Sequence, residues 1–480
     1  MQPLKYIKKF TIILALIHFS FLSFGDGSHA SESQYILNSV YTASNPDELA
    51  VGSSGNNVNP NGGHGVIMQG VSAINGNNST FAGGSGALVV GEAVAPHGGS
   101  GLFLDHTGLN SHIINIDDVL FYGGSGGVNF SLDGNTFGSK GHGIEWIADN
   151  LNSRSLFLSN STVSNGVEIT ALAGSLLDFS YTNSSIIGGI DKIGQGLLYI
   201  NNRDENSLND LDIQNGSVIF SDYLTIGSEE QITLSSQNSM LIASNGLNLA
   251  GSVSGSGSLE IYKDMTLSGA LSGSLSINLS SASNSVTLQN GYNILDTTFN
   301  GNSSDDLLIL EENGTYDAQR LGIGTIFQNF EAVQLSNLND TWESEKTLSY
   351  LIDGGLGNDM FAFSSNGTYF IDDFIQITNN IIGFESYGLS TGNDIWIAQT
   401  NDNAISSSIY GRGGEDRISF ENYRPNSSDI GVLYQEFEGA LLENQTNSWF
   451  ITDDYSQLDF IDGSSGVWTL AYTNDSGITA

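Results

Sequence analysis

A spacing that occurs three times near the C-terminus constrains this chain more than any other feature. Phe330-Glu331 is followed by Trp342, Phe384-Glu385 by Trp396 and Phe437-Glu438 by Trp449, so the step from Phe to Trp is identical each time. The copies recur at a nearly constant interval and contain three of the chain's five Trp. Self-similarity at a period of ~53 residues marks stacked supersecondary units, none of which buries its apolar face alone.

Each copy also begins with an acid, Asp306, Asp359 or Asp416, followed by a short alternating strand. Leu308 and Leu310, Phe361 and Phe363, and Ile418 and Phe420 stand two and four positions past that acid. Residues at even offsets on a strand share one face, so these point inward and the intervening ones outward. The same logic places Phe330, Phe384 and Phe437 inside and the adjacent Glu in solvent. Equivalent Phe and Trp are expected to rest on the copy below as aromatic ladders. A fourth copy starts at Phe460-Ile461-Asp462-Gly463, which matches Leu351-Ile352-Asp353-Gly354. The stretch from Val467 to Ala480 is then predicted to be either a cap or the remainder of an incomplete module.

Upstream, the unit is a glycine corner followed by an alternating strand. Gly63-His64-Gly65-Val66, Gly84-Ser85-Gly86-Ala87, Gly99-Ser100-Gly101-Leu102, Gly124-Ser125-Gly126-Gly127 and Gly141-His142-Gly143-Ile144 are the instances. Their irregular steps suit the coils of a parallel β-solenoid, whose corners tolerate insertions. Glycine supplies the positive φ such corners need. From 150 to 300 the chain alternates with period two, as in Leu275-Ser276-Ile277-Asn278-Leu279, and shows no amphipathic helix. The expected organisation is a lead-in or cap over 31–60, a β-solenoid with Gly-rich corners over 61–300, and three of the C-terminal modules with an incomplete fourth over 301–480.

Positions 1–30 read as a secretory signal peptide. Lys5, Lys8 and Lys9 precede the apolar run Thr11 to Phe24, and Ser28-His29-Ala30 supplies a small-residue cleavage site. Without them the chain keeps 51 acidic and 10 basic residues. That balance excludes nucleic acid, whose binding needs clustered Lys and Arg, and disfavours anionic lipid. No later segment is apolar and long enough to span a bilayer. Cysteine is absent, so burial and backbone pairing must hold the fold together.

Two patterns together resemble the passenger domain of autotransporters, the surface-exported part of bacterial type V secretion. One is Phe81-Ala82-Gly83-Gly84-Ser85-Gly86 with Phe121-Tyr122-Gly123-Gly124-Ser125-Gly126. The other is an acidic turn, a strand, then Phe327-Gln328-Asn329-Phe330-Glu331 or Tyr434-Gln435-Glu436-Phe437-Glu438, then Trp. The resemblance implies an all-β, single-stranded right-handed parallel β-helix on the cell surface, commonly an adhesin and sometimes an enzyme. The family's C-terminal translocator barrel, with its many ten-residue alternating strands, is not found in this sequence, which implies separate export machinery.

Binding or adhesion to a host, cell or glycan surface is therefore the leading expectation. A polysaccharide lyase or glycoside hydrolase is the alternative, and a structural spacer the third reading. Gly354-Gly355-Leu356-Gly357-Asn358-Asp359-Met360-Phe361-Ala362 fits a calcium-binding nonapeptide, which makes Asp353, Asp359 and Asp416 candidate calcium ligands. The later copies are degenerate and not in tandem, so the expectation leans to no cofactor. His64, His97, His106, His112 and His142 lack the spacing of a metal-binding pair. Lys140, His142 and Glu145 near Trp146 are the best local candidate for acid–base chemistry, and no nucleophile or phosphate motif exists to name a catalytic residue.

Overall fold

The computed structural model describes residues 153–201, 210–280, 282–302, 305–345, 348–370, 380–397 and 408–419 without a break, and elsewhere shorter stretches between Gln34 and Thr479. Residues 1–30 and much of 31–60 lie outside the described residues. The chain is a nearly all-β parallel solenoid. Helix is limited, among the described residues, to the single turn Ala318–Leu321. Antiparallel pairing joins only Val128–Phe130 with Thr136–Phe137 and Trp468–Asn474 with Gly477–Thr479 among the described strands. Two compact units are present, the first mainly residues 1–261 and the second mainly 297–480.

In the first unit a coil has three faces. Gln231–Leu234, Ser239–Ala243 and Leu247–Leu249 are consecutive strands that belong to three different sheets. The largest of the sheets with a single continuous path holds eleven strands, one per coil. Ile144, Val167, Ile190, Leu211, Ile232, Val253 and Leu271 occupy one rung of it, at intervals that shorten along the chain. All are buried. Each alternates with a half-exposed polar neighbour, as in Gln231–Leu234, so one face of every strand is core and the other is surface. Burying a Val, Leu or Ile contributes about 1.5–3 kcal/mol, and the column repeats that contribution once per coil.

The second unit reveals what the repeat spacing means. From Leu307–Leu310 the same sheet continues through Ala332–Gln334 to Leu351–Asp353, two coils on. The next strand, Met360–Phe363, is the sequence equivalent of Leu307–Leu310 but lies in a different sheet. Met360–Phe363 then continues through Ser386–Gly388 to Ser408–Tyr410, and its own equivalent, Arg417–Ser419, again falls in another sheet. One module is therefore two coils plus one face. This corrects the expected ladder of like on like. Trp342 lies between Tyr316 and Phe361, and Trp396 between Tyr369 and Ile418, so the two Trp never stack. Both are fully buried, as expected. The Trp449 side chain lies outside the described residues.

The Phe-Glu pairs close each module by local chemistry. The residue before each Phe, Asn329, Gly383 or Glu436, has positive φ, 58°, 72° and 60°. That kink aims its carbonyl at Gly301, Gly354 or Gly411, where a Cβ would lie only 2.4, 2.3 or 2.2 Å from the oxygen. Only glycine fits so close an approach. Phe330 and Phe437 are buried and Phe384 is half-buried, with T-shaped packing on Phe327, Tyr434 and Phe361 respectively. Glu331 and Glu385 are exposed, as expected of a solvated edge, and each also holds a backbone group. Glu331 Oε2 accepts the Asp306 N–H at 2.9 Å, while the Glu331 N–H donates to the Asp306 carbonyl at 3.2 Å. Glu385 and Asp359 repeat both bonds at 2.8 and 3.1 Å. The Glu438 side chain lies outside the described residues.

Leu211→Ala should lower unfolding free energy by about 2–5 kcal/mol in a urea titration, whereas Thr233→Ala, on the outer row, should change it by less than about 0.5 kcal/mol.

Candidate functional site

Register turns scattered acids into a line. On the outer face of the eleven-stranded sheet, Glu145 pairs with Glu168, Glu168 with Asp191 and Asp191 with Asp212. Adjacent strands lie about 4.8 Å apart, so four carboxylates mount one outer column on consecutive coils. Phe103 precedes them and Thr233 and Ser254 follow. All four acids are half-buried.

His142, in the corner just before Ile144–Ala148, leans over this column. Its Nε2 lies 3.1 Å from Glu168 Oε2 and its Nδ1 4.0 Å from Asp191 Oδ2. Hydrogen bonding to Glu168 raises the imidazole pKa above 6.5, assisted by the charges of Glu168, Asp191 and Glu145 and opposed by desolvation. Burial raises the Glu145 carboxyl, with repulsion from Glu168 adding to it and a 2.8 Å hydrogen bond from Ser100 Oγ opposing it. Burial likewise raises Asp191, against attraction from His142 and with repulsion from Asp212 and Glu168. Asp212 accepts a bond from Ser235 Oγ at 2.5 Å. The column is thus a protonatable anionic strip suited to holding amines, and its raised carboxyls suit proton transfer.

The sequence candidates divide accordingly. His142 and Glu145 belong to this site. Lys140 is exposed, and Trp146 faces the opposite way, fully buried between Leu104 and Ile169. Glu168, Asp191 and Asp212 escaped the sequence reading because they lie one, two and three coils beyond Glu145 and join it only through register. The inner side holds a surprise. Lys192 occupies a core rung between Ile169 and Ile213 and is fully buried, its Nζ bonded to the carbonyls of Gly194 and Asn215 at 2.5 and 2.7 Å. Burial lowers its pKa to about 8. Alternation through Ile190-Asp191-Lys192 is the signal that points it inward.

Asp353, Asp359 and Asp416 each hold a backbone N–H. Asp353 ends a strand of one sheet, and Asp359 and Asp416 lead strands of two others. Asp353 Oδ1 accepts the Gly355 N–H at 3.0 Å. Asp359 and Asp416 are fully buried, and each Oδ1 accepts a backbone N–H, from Asp340 at 2.7 Å and Asp394 at 2.8 Å. Among the described residues no group of three or more His, Asp and Glu converges to hold a metal. His64 and His97 lie outside the described residues.

The second unit also carries a solvent-open depression of about 540 Å³, lined by Ser268, Gln289, Asn290, Glu311, Glu312 and the exposed Leu338 among others. Gln289 Nε2 donates to Glu311 Oε2 at 3.0 Å. The chain matches no family model, no curated protein and no solved structure. Among the described residues no helix is long and apolar enough to cross a membrane.

Since the His142 pKa is raised on folding, the stability it contributes is complete below about pH 6.5 and is lost as pH rises through the raised value. An NMR titration should place the His142 pKa above 6.5, and Glu168→Gln should bring it down.

Proposed function

We propose that this chain is an exported cell-surface binding protein of the autotransporter-passenger kind, acting in adhesion through the acidic outer column of its first unit. The observation that carries the reading is the in-register placement of Glu145, Glu168, Asp191 and Asp212. A column with one carboxylate per coil suits a ligand that itself repeats, and the anionic strip suits one bearing amines. An amine-bearing surface glycan meets both conditions. The amide- and carboxylate-lined depression of the second unit is a further surface able to hydrogen-bond sugar hydroxyls. The signal-peptide sequence supports export.

Glycoside hydrolysis is the second reading, favoured by the raised carboxyl of Glu145 beside Glu168 on the next coil. Such chemistry needs one carboxyl held protonated as acid and a second acting as base or nucleophile.

Cells displaying the full chain should bind glucosamine oligomers and not uronate oligomers. Binding should weaken with salt, and the pair Glu168→Gln and Asp191→Asn should reduce it at least about tenfold, the equivalent of about 1.4 kcal/mol. Unchanged attachment in that variant would rule out the column as the contact. Release of new reducing ends, abolished by Glu145→Gln, would instead establish the hydrolase.

A further inference from the structure

The acids that lead the C-terminal modules occupy a position unusual for a carboxylate. Asp306 and Asp359 are 1% and 0% exposed. One oxygen of each is used. Asp306 Oδ1 accepts the Asn284 N–H at 2.8 Å and Asp359 Oδ1 the Asp340 N–H at 2.7 Å. The other oxygen of each, Oδ2, is buried without a hydrogen-bond partner. For Asp306 it faces Gly301, where a Cβ would come within 3.0 Å of it. Each aspartate therefore ties three coils together. Its side chain grips the coil before, and its backbone is clasped by Glu331 or Glu385 from the coil after.

A buried carboxylate normally survives by pairing with a cation or by filling both oxygens with donors. Neither condition holds here. The charges acting on Asp359 are Asp340, Glu385 and Asp353, and those acting on Asp306 are Glu331 and Asp305. All are carboxylates. Ionising either aspartate places a charge on an oxygen with no donor, near other carboxylates. Protonation removes that charge and leaves the Oδ1 acceptor in place.

We propose that Asp306 and Asp359 form an acid-set latch: protonated, they hold the coils of the second unit tightly together, and ionised, they loosen the junctions they span. Burial is the largest cause that raises both carboxyls, and Asp359 is pushed up to about 6. An acid whose folded pKa is raised gives full stability below its unfolded value, near about 3.9, and loses it as pH climbs through the folded value. For Asp359 the window runs from about pH 4 to about 6. Its equilibrium weight is on the order of a hundredfold in the folding constant, by linkage. The same placement one module apart multiplies the response.

The test uses the full chain and hydrogen exchange, corrected for intrinsic rates, at about pH 5 and about pH 7.5, on either side of the folded value of Asp359. Protection of Met360–Phe363 should fall at least tenfold at the higher pH and that of Leu307–Leu310 should fall with it, while Ser239–Ala243 in the first unit keeps its protection. Asp306→Asn with Asp359→Asn retains an oxygen acceptor and cannot ionise, so this variant should lose the fall. A wild-type protection that is constant or greater at the higher pH overturns the latch, as does a fall of equal size in Ser239–Ala243. A folded double variant that keeps the wild-type fall overturns it as well. If the double variant does not fold, the wild-type profile with its first-unit reference decides.

Discussion

Parallel, in-register pairing of each coil with the next is the constraint on which the rest depends. In such a ladder a side chain's neighbours are fixed by coil length rather than by local sequence. Ile190 meets Val167 and Leu211 because the backbone leaves it no other partner on that face. Apolar residues thereby accumulate into continuous columns, and a chain without cysteine acquires a core. The same rule operates on the outside with less welcome results. Acids one coil apart must face one another, so Glu145, Glu168, Asp191 and Asp212 repel, and their mutual repulsion raises the carboxyls of Glu145 and Asp191 beyond what burial does alone.

Lys192 and the module-leading aspartates show two ways of placing an ionisable group in the core. In the first, Lys192 enters the core and satisfies itself on two carbonyls, so its charge is answered by backbone dipoles. In the second, Asp306 and Asp359 answer backbone N–H groups with one oxygen and leave the other without a donor. Asp340 and Asp394 are also buried, yet their Oδ2 atoms accept both the N–H and the hydroxyl of Ser336 or Ser390. Serine four positions upstream thus separates a satisfied aspartate from an unsatisfied one.

Much of the fold was legible before any coordinates. Alternation at Leu308 and Leu310 or Phe361 and Phe363 correctly assigned the buried face, because the two-residue period of a strand is a local property. Glycine corners at Gly99-Ser100-Gly101 and Gly141-His142-Gly143 marked the beginnings of strands at Leu102 and Ile144. The site was only half legible. His142 and Glu145 are close in sequence and could be found, whereas their partners are a coil or more away. The coil from Ile144 to Val167 is longer than the one from Val253 to Leu271, so no fixed period reveals that register. The reading of Phe-Glu as core beside solvent held for Phe330 and for the exposed Glu331 and Glu385, but alternation alone could not show that these carboxylates reach back to the Asp306 and Asp359 N–H groups.

The mismatch between module and coil has a further meaning for how such a chain can change length. A duplication inserts two coils and a third of another, so every module added to the second unit turns the motifs that follow it onto the next face. Two insertions turn them twice, and the third brings them back into line after seven coils. A lineage that gains or loses modules therefore rotates its downstream surface in steps of one face, and it preserves a contact there only by changing in threes or by rebuilding the contact.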